Sequence, residues 1–259
     1  IPLYPTIKHP YIGDHSKDAR HQLNRRRRAT FTKEEYSHKL LPAINGLCNR
    51  TAPLAPYKKR AHEALRLAIL MIANTLLRPQ EMYWLRYEQV QLVPERGEIY
   101  TVIYLSAQQA KTKRRRTIIC PNGNAMYEYV QRFRKYAKWS DPTDLIFASE
   151  RTRTKPRDLT YQVRTRFKEW DLLEDMEGNR RSLYSLRHFA IERLLIENVP
   201  PTAIAKLAGT SLAMISRFYD DTDAWMYLKQ FHGHRKNFPR PVPDEMLDAP
   251  MLPTKGTRS

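Results

Sequence analysis

The segment from residue 61 to residue 77 constrains the fold most, because it is apolar on nearly every side of a helix. A helix at the surface of a soluble protein keeps a polar face, whereas a helix that is hydrophobic all round is buried. Its longest uninterrupted apolar run, residues 67–73, is far shorter than the roughly 20 residues that cross a bilayer. The sequence therefore predicts a helix buried within a domain, and no transmembrane helix.

Local patterns divide the rest of the chain into helices and one short stretch of strands. Thr32 and Glu35 have the spacing of a capping box, which predicts that a helix begins there. Alternating apolar residues predict the strands, and turn or capping residues mark the ends of the helices. The predicted strands are 89–93, 98–106 and 116–120, with a turn at 94–97. Two further helices are predicted to begin at Pro79 and at Pro121, and four more to cover 159–167, 183–196, 201–207 and 212–219. Gly209 is predicted as a helix C-cap and Ser211 as the next N-cap. The predicted fold class is mainly α with a small antiparallel β-sheet (α+β).

The chain carries a large excess of positive charge. Lys and Arg total 45 against 27 Asp and Glu, which gives a formal net charge of +18. Such an excess favours a polyanionic partner, because each phosphate that is neutralised releases condensed counterions. The basic residues cluster in blocks, none on a clear amphipathic helix, so the expected partner is a nucleic acid and not a membrane surface. The predicted DNA-binding residues are Arg25, Arg26, Arg27, Arg28, Lys113, Arg114, Arg115 and Arg116, and a third basic block covers residues 151–157.

Several other kinds of site are excluded by their residue patterns. His232 and His234 lack a matched third metal ligand, and the acidic run at 220–223 lacks the Gly and the distal Glu of a calcium loop. The eight glycines form no phosphate-binding loop. Cys48 and Cys120 form no Cys-x-x-Cys pair, which fits a reducing compartment. We therefore expect that the protein holds no metal and no cofactor. We also expect it to be cytoplasmic and associated with the nucleoid.

Three segments of the sequence resemble the signatures of a single family. Residues 75–87 read TLLRPQEMYWLRY and resemble T-G-x-R-x-x-E-x-x-x-L-x-W, and residues 184–190 read YSLRHFA and resemble H-x-L-R-H-T-F-A. Residues 207–219 resemble L-G-H-S-S followed by a tyrosine. In order and spacing, the three are similar to the catalytic domain of tyrosine recombinases (phage integrases), over about residues 31–227. The resemblance implies that fold, and DNA strand breaking and rejoining through a 3′-phosphotyrosyl link.

Two arginines match the phosphate-binding positions of that family. The resemblance implies that Arg78 and Arg187 bind the scissile phosphate, and planar, permanently charged guanidinium groups suit its two non-bridging oxygens. Arg78 follows the buried helix and Arg187 lies within an apolar helix, so an unpaired charge there would be costly. By resemblance Glu81 orients Arg78. The alternative for each arginine alone is a salt bridge in the core.

The resemblance also implies a nucleophile and a general acid. Tyr219 would attack the phosphate, with Tyr227 as the fallback candidate, and nearby cations would stabilise its anion because a free phenol has a pKa of about 10. Lys111, in the turn between the second and third strands, would protonate the departing 5′-oxygen. Lys113 competes for that role, since hairpins align loosely, and the alternative for both lysines is plain phosphate contact.

The sequence departs from the family pattern at two positions. Tyr184 stands where the family usually has His, and Thr210 stands where it has His or Trp. Both hydroxyls can still hydrogen-bond a phosphate oxygen, but neither is a base at neutral pH, so the acceptor of the Tyr219 proton stays open. His188 follows Arg187 directly and does not share its helix face, so we interpret it as structural.

The resemblance finally predicts how the chain is organised and assembled. Residues 1–55 would be an arm or linker and a leading helix after an absent or truncated core-binding domain, residues 56–227 the catalytic domain, and residues 228–259 a tail. By resemblance the partner is double-stranded DNA at attachment or recombination sites. The enzyme would integrate or excise a phage or other mobile element as a homotetramer on that DNA with tail exchange, aided by DNA-bending proteins. The alternatives are a type IB topoisomerase and a non-catalytic DNA-binding protein of the same fold.

Overall fold

The computed structural model describes residues 29–49, 54–111, 113–120 and 123–219, with residues 217–219 described as backbone only. The chain divides into two units, 1–220 and 221–259, and all described residues belong to the first. The elements are a π-helical α1 (Glu35–Leu40), α2 (Leu41–Cys48), α3 (Pro56–Thr75), α4 (Pro79–Tyr83), a 3₁₀ turn (Tyr87–Gln89), β1 (Val90–Glu95), β2 (Glu98–Leu105), β3 (Arg116–Ile119), α5 (Ala125–Arg134), α6 (Thr160–Glu169), α7 (Leu183–Ile196), α8 (Pro201–Ala208) and α9 (Leu212–Tyr219). The predicted fold class is confirmed.

Helix α3 is the central helix of the fold, because it packs against α2, α5 and α7. Its apolar side chains are buried around the whole circumference, among them Leu65, Ile69 and Ile72. The buried carboxylate of Glu63 pairs with the guanidinium of Arg66 one turn later, which offsets the cost of removing both charges from water. The prediction of a buried helix is confirmed. Among the described residues, no helix is both long and apolar enough to cross a membrane.

The predicted helix caps are also present. The backbone N–H of Thr32 donates to Glu35 Oε2 at 2.9 Å, and the backbone N–H of Glu35 donates to Thr32 Oγ1 at 3.1 Å, which completes the capping box. Gly209 ends α8 in the left-handed conformation, with φ of 60°. Ser211 Oγ accepts the backbone N–H of Met214 at 3.2 Å. These local signals fix the short turn between α8 and α9.

The three strands form an antiparallel sheet in the order β1-β2-β3, with Val90 opposite Ile103 and Ile103 opposite Ile118. The turn predicted at 94–97 is wrong by two residues. Only Arg96 and Gly97 form it, both with positive φ, as a two-residue hairpin of the kind that matches strand twist. Pro94 lies within β1, where it is tolerated because β1 is an edge strand.

The two cysteines are free and fully buried. Burial, with the nearby Glu63 carboxylate, raises the pKa of Cys48 to about 11, and burial raises the pKa of Cys120 to about 12. Because the thiolate is the reactive form, we expect both to react with iodoacetamide at pH 8 at least about 100-fold more slowly in the native protein than in urea. Mass spectrometry of timed samples measures this, and fast native alkylation of either cysteine would contradict its burial.

Candidate active site

The first part of the site forms where α3 ends and α4 begins. Leu76 adopts a left-handed conformation with φ of 58°, which ends α3 and turns the chain towards Arg78. Glu81 then accepts the backbone N–H of Arg78 at Oε2 and its guanidinium Nη1 at Oε1, each at 2.9 Å. The Glu81 side chain is 1% exposed. The first signature thus folds into a local pair in which the carboxylate fixes both the backbone and the guanidinium of Arg78.

Arg187 enters the same region from α7. Ser182 caps this helix by accepting the backbone N–H of Tyr184 at 3.2 Å, and Arg187 is buried one turn later. Its guanidinium donates to the carbonyl oxygen of Leu76 and, at 2.7 Å, to that of Ala208. Burial and the neighbouring Arg78 guanidinium lower the pKa of Arg187. A buried arginine that pairs with carbonyls and with none of the described carboxylates is a costly arrangement.

A third arginine, Arg116, completes the cluster from the first position of β3. Its Nη2 pairs with Glu81 Oε2 at 2.6 Å, and its Nη1 donates to the carbonyl of Ala208 at 2.9 Å. The sequence prediction groups Arg116 with the DNA-binding turn, yet its side chain is only 8% exposed. Successive side chains of a strand point to opposite faces, so Arg116 lies on the same face as Ile118, which is buried. This alternation in the sequence could have predicted that Arg116 is buried.

The turn between α8 and α9 is the point on which the three arginines converge. The carbonyl of Ala208 accepts from Arg116 and Arg187, and the next carbonyl, that of Gly209, accepts from Arg78 Nη2 at 2.6 Å. We call Arg78, Arg116, Arg187 and Glu81 the arginine cluster.

The cluster holds more positive than negative charge. Glu81 is the one carboxylate within the described ranges that forms an ion pair with any of its arginines. Burial opposes ionisation of Glu81, but Arg116, together with the backbone N–H and guanidinium of Arg78, holds its pKa below the ordinary value. Burial and Arg78 lower the pKa of Arg116, and Glu81 opposes that shift. The cluster therefore holds three guanidinium groups and one ionised carboxylate, and two of the guanidinium groups pair with that carboxylate.

The remaining predicted residues lie at different distances from this cluster. Tyr184 is half-buried, and its ring centroid lies 5.1 Å from that of His188. Thr210 follows the accepting carbonyls and donates its backbone N–H to Ala205 at 3.0 Å. Lys111 and Lys113 lie in the β2–β3 turn with exposed side chains, so the geometry does not choose between them.

Other predicted residues lie on the surface or outside the described part of the chain. Arg114 and Arg115 are exposed in the β2–β3 turn. Helix α9 ends at Tyr219, whose side chain is not described. Within the described ranges, no group of three or more His, Cys, Asp or Glu side chains could hold a metal ion. The predicted residues outside those ranges are Arg25, Arg26, Arg27, Arg28 and Tyr227, and the same holds for His232 and His234, which the sequence analysis excludes as a metal site.

Comparison with solved structures finds the same fold at low sequence identity. XerH site-specific recombinase, in a post-cleavage complex with palindromic difH substrate, is 16% identical with a TM-score of 0.56, covering 80% of this chain and 54% of that chain. XerA recombinase is 15% identical with a TM-score of 0.53, covering 83% and 67%. Tn1549 transposon integrase with circular intermediate DNA is 16% identical with a TM-score of 0.51, covering 79% and 66%.

The chain spans about half the length of the XerH chain, and at these identities the likeness shows the fold alone. The curated proteins gave no match. The sequence model of the phage integrase family, in contrast, matches residues 38–224, which include the arginine cluster and the end of α9. Because that match covers most of the chain, the protein belongs to the phage integrase family, the tyrosine recombinases.

Proposed function

We propose that this chain is the catalytic part of a site-specific DNA recombinase that cleaves and rejoins DNA through Tyr219. The observation that carries the proposal is the convergence of Arg78, Arg116 and Arg187 on the turn before α9, with one carboxylate among them. A buried site that concentrates guanidinium groups is suited to an anion whose charge increases in the transition state, as that of a phosphodiester does.

In the proposed reaction, Tyr219 gives up its hydroxyl proton, for which the sequence leaves the acceptor open. Its oxygen attacks the scissile phosphorus and the bond from phosphorus to the 5′-oxygen breaks. Arg78 and Arg187 bind the non-bridging oxygens, and Lys111 or Lys113 gives its proton to the departing 5′-oxygen. The products are a 3′-phosphotyrosyl link and a free 5′-hydroxyl. Because the phosphodiester energy is kept in the new bond, a 5′-hydroxyl from a partner strand can reverse the step and restore Tyr219.

The proposed partner is double-stranded DNA, held by the exposed basic residues of the β2–β3 turn and, outside the described ranges, by the Arg25–Arg28 block. The solved structures of XerH with difH substrate and of Tn1549 integrase with circular intermediate DNA support this partner. We further propose a tetramer with exchange of the tail, accessory DNA-bending proteins, and a phage or mobile-element origin. We also propose the division of the chain into residues 1–55, a catalytic domain of residues 56–227, and residues 228–259.

Covalent capture tests the proposed chemistry whatever the target sequence is. The protein is incubated with a pool of randomised duplexes that carry a nick, so that cleavage near the nick releases a short fragment that diffuses away. We expect complexes that survive SDS, with the protein joined to the 3′-phosphate end of the broken strand and a 5′-hydroxyl on the other end. Tyr219→Phe should reduce capture at least about 1,000-fold, since removing a nucleophile removes the covalent step. Tyr227→Phe tests the fallback candidate for the nucleophile and should leave capture unchanged.

Each alternative predicts a different result. Salt-sensitive binding of the pool with no covalent complex would count against the proposal and favour the non-catalytic DNA-binding protein. Relaxation of any supercoiled plasmid, with no sequence enriched among the captured duplexes, would favour the type IB topoisomerase. Sequencing the captured duplexes supplies the site on which variants are then compared.

A further inference from the structure

Arg116 has a position that its sequence neighbours do not share. Arg114 and Arg115 are exposed, whereas the Arg116 side chain is 8% exposed and reaches the carbonyl of Ala208 across the fold. An ordinary surface arginine gains little from such burial and loses its hydration. Its position therefore needs a reason beyond non-specific DNA contact.

Neutralising Glu81 does not provide that reason. Arg78 alone already pairs with Oε1 of Glu81 through its guanidinium and with Oε2 through its backbone N–H. Arg116 adds a second positive charge to a carboxylate that has one partner, and Arg187 adds a third positive charge beside them. Among the described residues, the three guanidinium groups and the one carboxylate of the cluster thus have a net charge of +2. Buried like charges repel, so this arrangement favours an anionic ligand.

Arg116 also keeps hydrogen-bonding capacity unused. A guanidinium has five N–H donors, and the contacts to Glu81 and Ala208 use one nitrogen each. Its Nε is buried and has no hydrogen-bond partner among the described residues. A buried donor without a partner is costly, which makes it an available donor for a ligand oxygen.

We propose that Arg116 is a third phosphate-binding arginine, donating to one non-bridging oxygen of the scissile phosphodiester. The proposal rests on the proposed function and extends it. Arg116 supplies a positive charge in a site to which Tyr184 and Thr210 contribute hydroxyl groups. Because Arg116 is the first residue of β3, it also ties the β2–β3 turn, with Lys111 and Lys113, to the same phosphate.

Inorganic phosphate provides a test that needs no DNA target. We expect phosphate to raise the midpoint of thermal unfolding of the wild-type protein more than sodium chloride of equal ionic strength does, through binding to the cluster. Arg116→Gln should bind phosphate about 10-fold more weakly or worse, as loss of a charged hydrogen bond predicts. Arg164→Gln removes the same charge from an exposed site on α6 and should respond like the wild type.

A captured DNA site with one non-bridging oxygen replaced by a methyl group provides the second test. On phosphodiester DNA, Arg116→Gln should form the covalent complex at least about 100-fold more slowly than the wild type, the loss typical of one donor to developing charge. On one stereoisomer of the methylphosphonate the difference should shrink to about 3-fold, because the oxygen that Arg116 binds is gone. Arg164→Gln should match the wild type on both substrates.

The results separate this inference from the proposed function. If the wild type captures no DNA, the proposed function fails, and the phosphate titration still decides whether Arg116 binds an anion. If the wild type reacts and Arg116→Gln behaves like Arg164→Gln in both tests, the inference is overturned and the proposed function stands. An Arg116→Gln defect of equal size on the phosphodiester and on both methylphosphonates would show a positioning role only, and would also overturn it.

Discussion

Gly209→Ala should lower the free energy of unfolding by about 3–5 kcal/mol, more than most single substitutions do. Gly209 has a positive φ of 60°, and a Cβ built there would lie 1.7 Å from Nη1 of Arg116 and 2.8 Å from its Cζ. A flexible side chain could move away, but Arg116 is held by Glu81 and by the Ala208 carbonyl. The added methyl group therefore strains the backbone and expels Arg116 from its ion pair. Thermal unfolding should show a midpoint about 10 °C lower.

Gly46→Ala is the matched control for this substitution. Gly46 lies in α2, and a Cβ there would meet nothing within 4 Å. Because alanine favours a helix over glycine, this variant should be more stable by about 0.5–1 kcal/mol. Equal effects of the two substitutions would contradict the crowding seen at Gly209.

A double-mutant cycle identifies the atom responsible. In an Arg116→Ala background the clash is absent, so Gly209→Ala should cost only the backbone term of about 1–2 kcal/mol. The difference between the two backgrounds measures the coupling between residues that are far apart in the sequence and touch in the fold. Additive effects of Gly209→Ala and Arg116→Ala would show that Arg116 is not what the methyl group displaces.

Features encoded locally could be predicted from the sequence. The buried helix, the capping box at Thr32 and Glu35, the C-cap at Gly209 and the bounds of α7 and α9 each depend on residues within a few positions of one another. The contact between Arg78 and Glu81 is equally local, because Arg78 is the N-cap of α4 and Glu81 lies in the first turn of that helix. Their propensities agree with the final fold, so pattern and structure coincide.

The arginine cluster as a whole could not be predicted in the same way. Arg116 is separated from Glu81 by 35 residues and from Ala208 by 92, so its contacts depend on how the sheet packs against α8. A run of basic residues in a turn predicts an exposed surface, and the run Lys113–Arg115 follows that rule while Arg116 does not. The role of Tyr219 stays a prediction, because its side chain lies outside the described part of the chain.

Glu81→Gln should reveal how much of the stability depends on the shared carboxylate. Gln keeps the size and the accepting oxygen but removes the only described negative charge among three guanidinium groups. Breaking a buried pair leaves unpaired charge, so the free energy of unfolding should fall by about 3–5 kcal/mol at pH 7. Urea unfolding at constant salt measures the loss, and Glu128→Gln, an exposed carboxylate on α5, should change stability by no more than about 0.5 kcal/mol.

The pH dependence of that loss tests its electrostatic origin. The folded pKa of Glu81 is lowered from its ordinary value of 4.5, so the folded state binds this proton less readily than the unfolded chain does. The stabilisation is therefore complete above that ordinary value and is lost as the pH falls through the lower folded pKa. The difference in stability between the wild type and Glu81→Gln should be constant from pH 8 to about 6 and should shrink steadily below about pH 4.5. If the difference stays the same down to pH 3, the stability lost in Glu81→Gln comes from packing, because packing does not titrate. That result would contradict the electrostatic role of Glu81 as the counter-charge of the cluster.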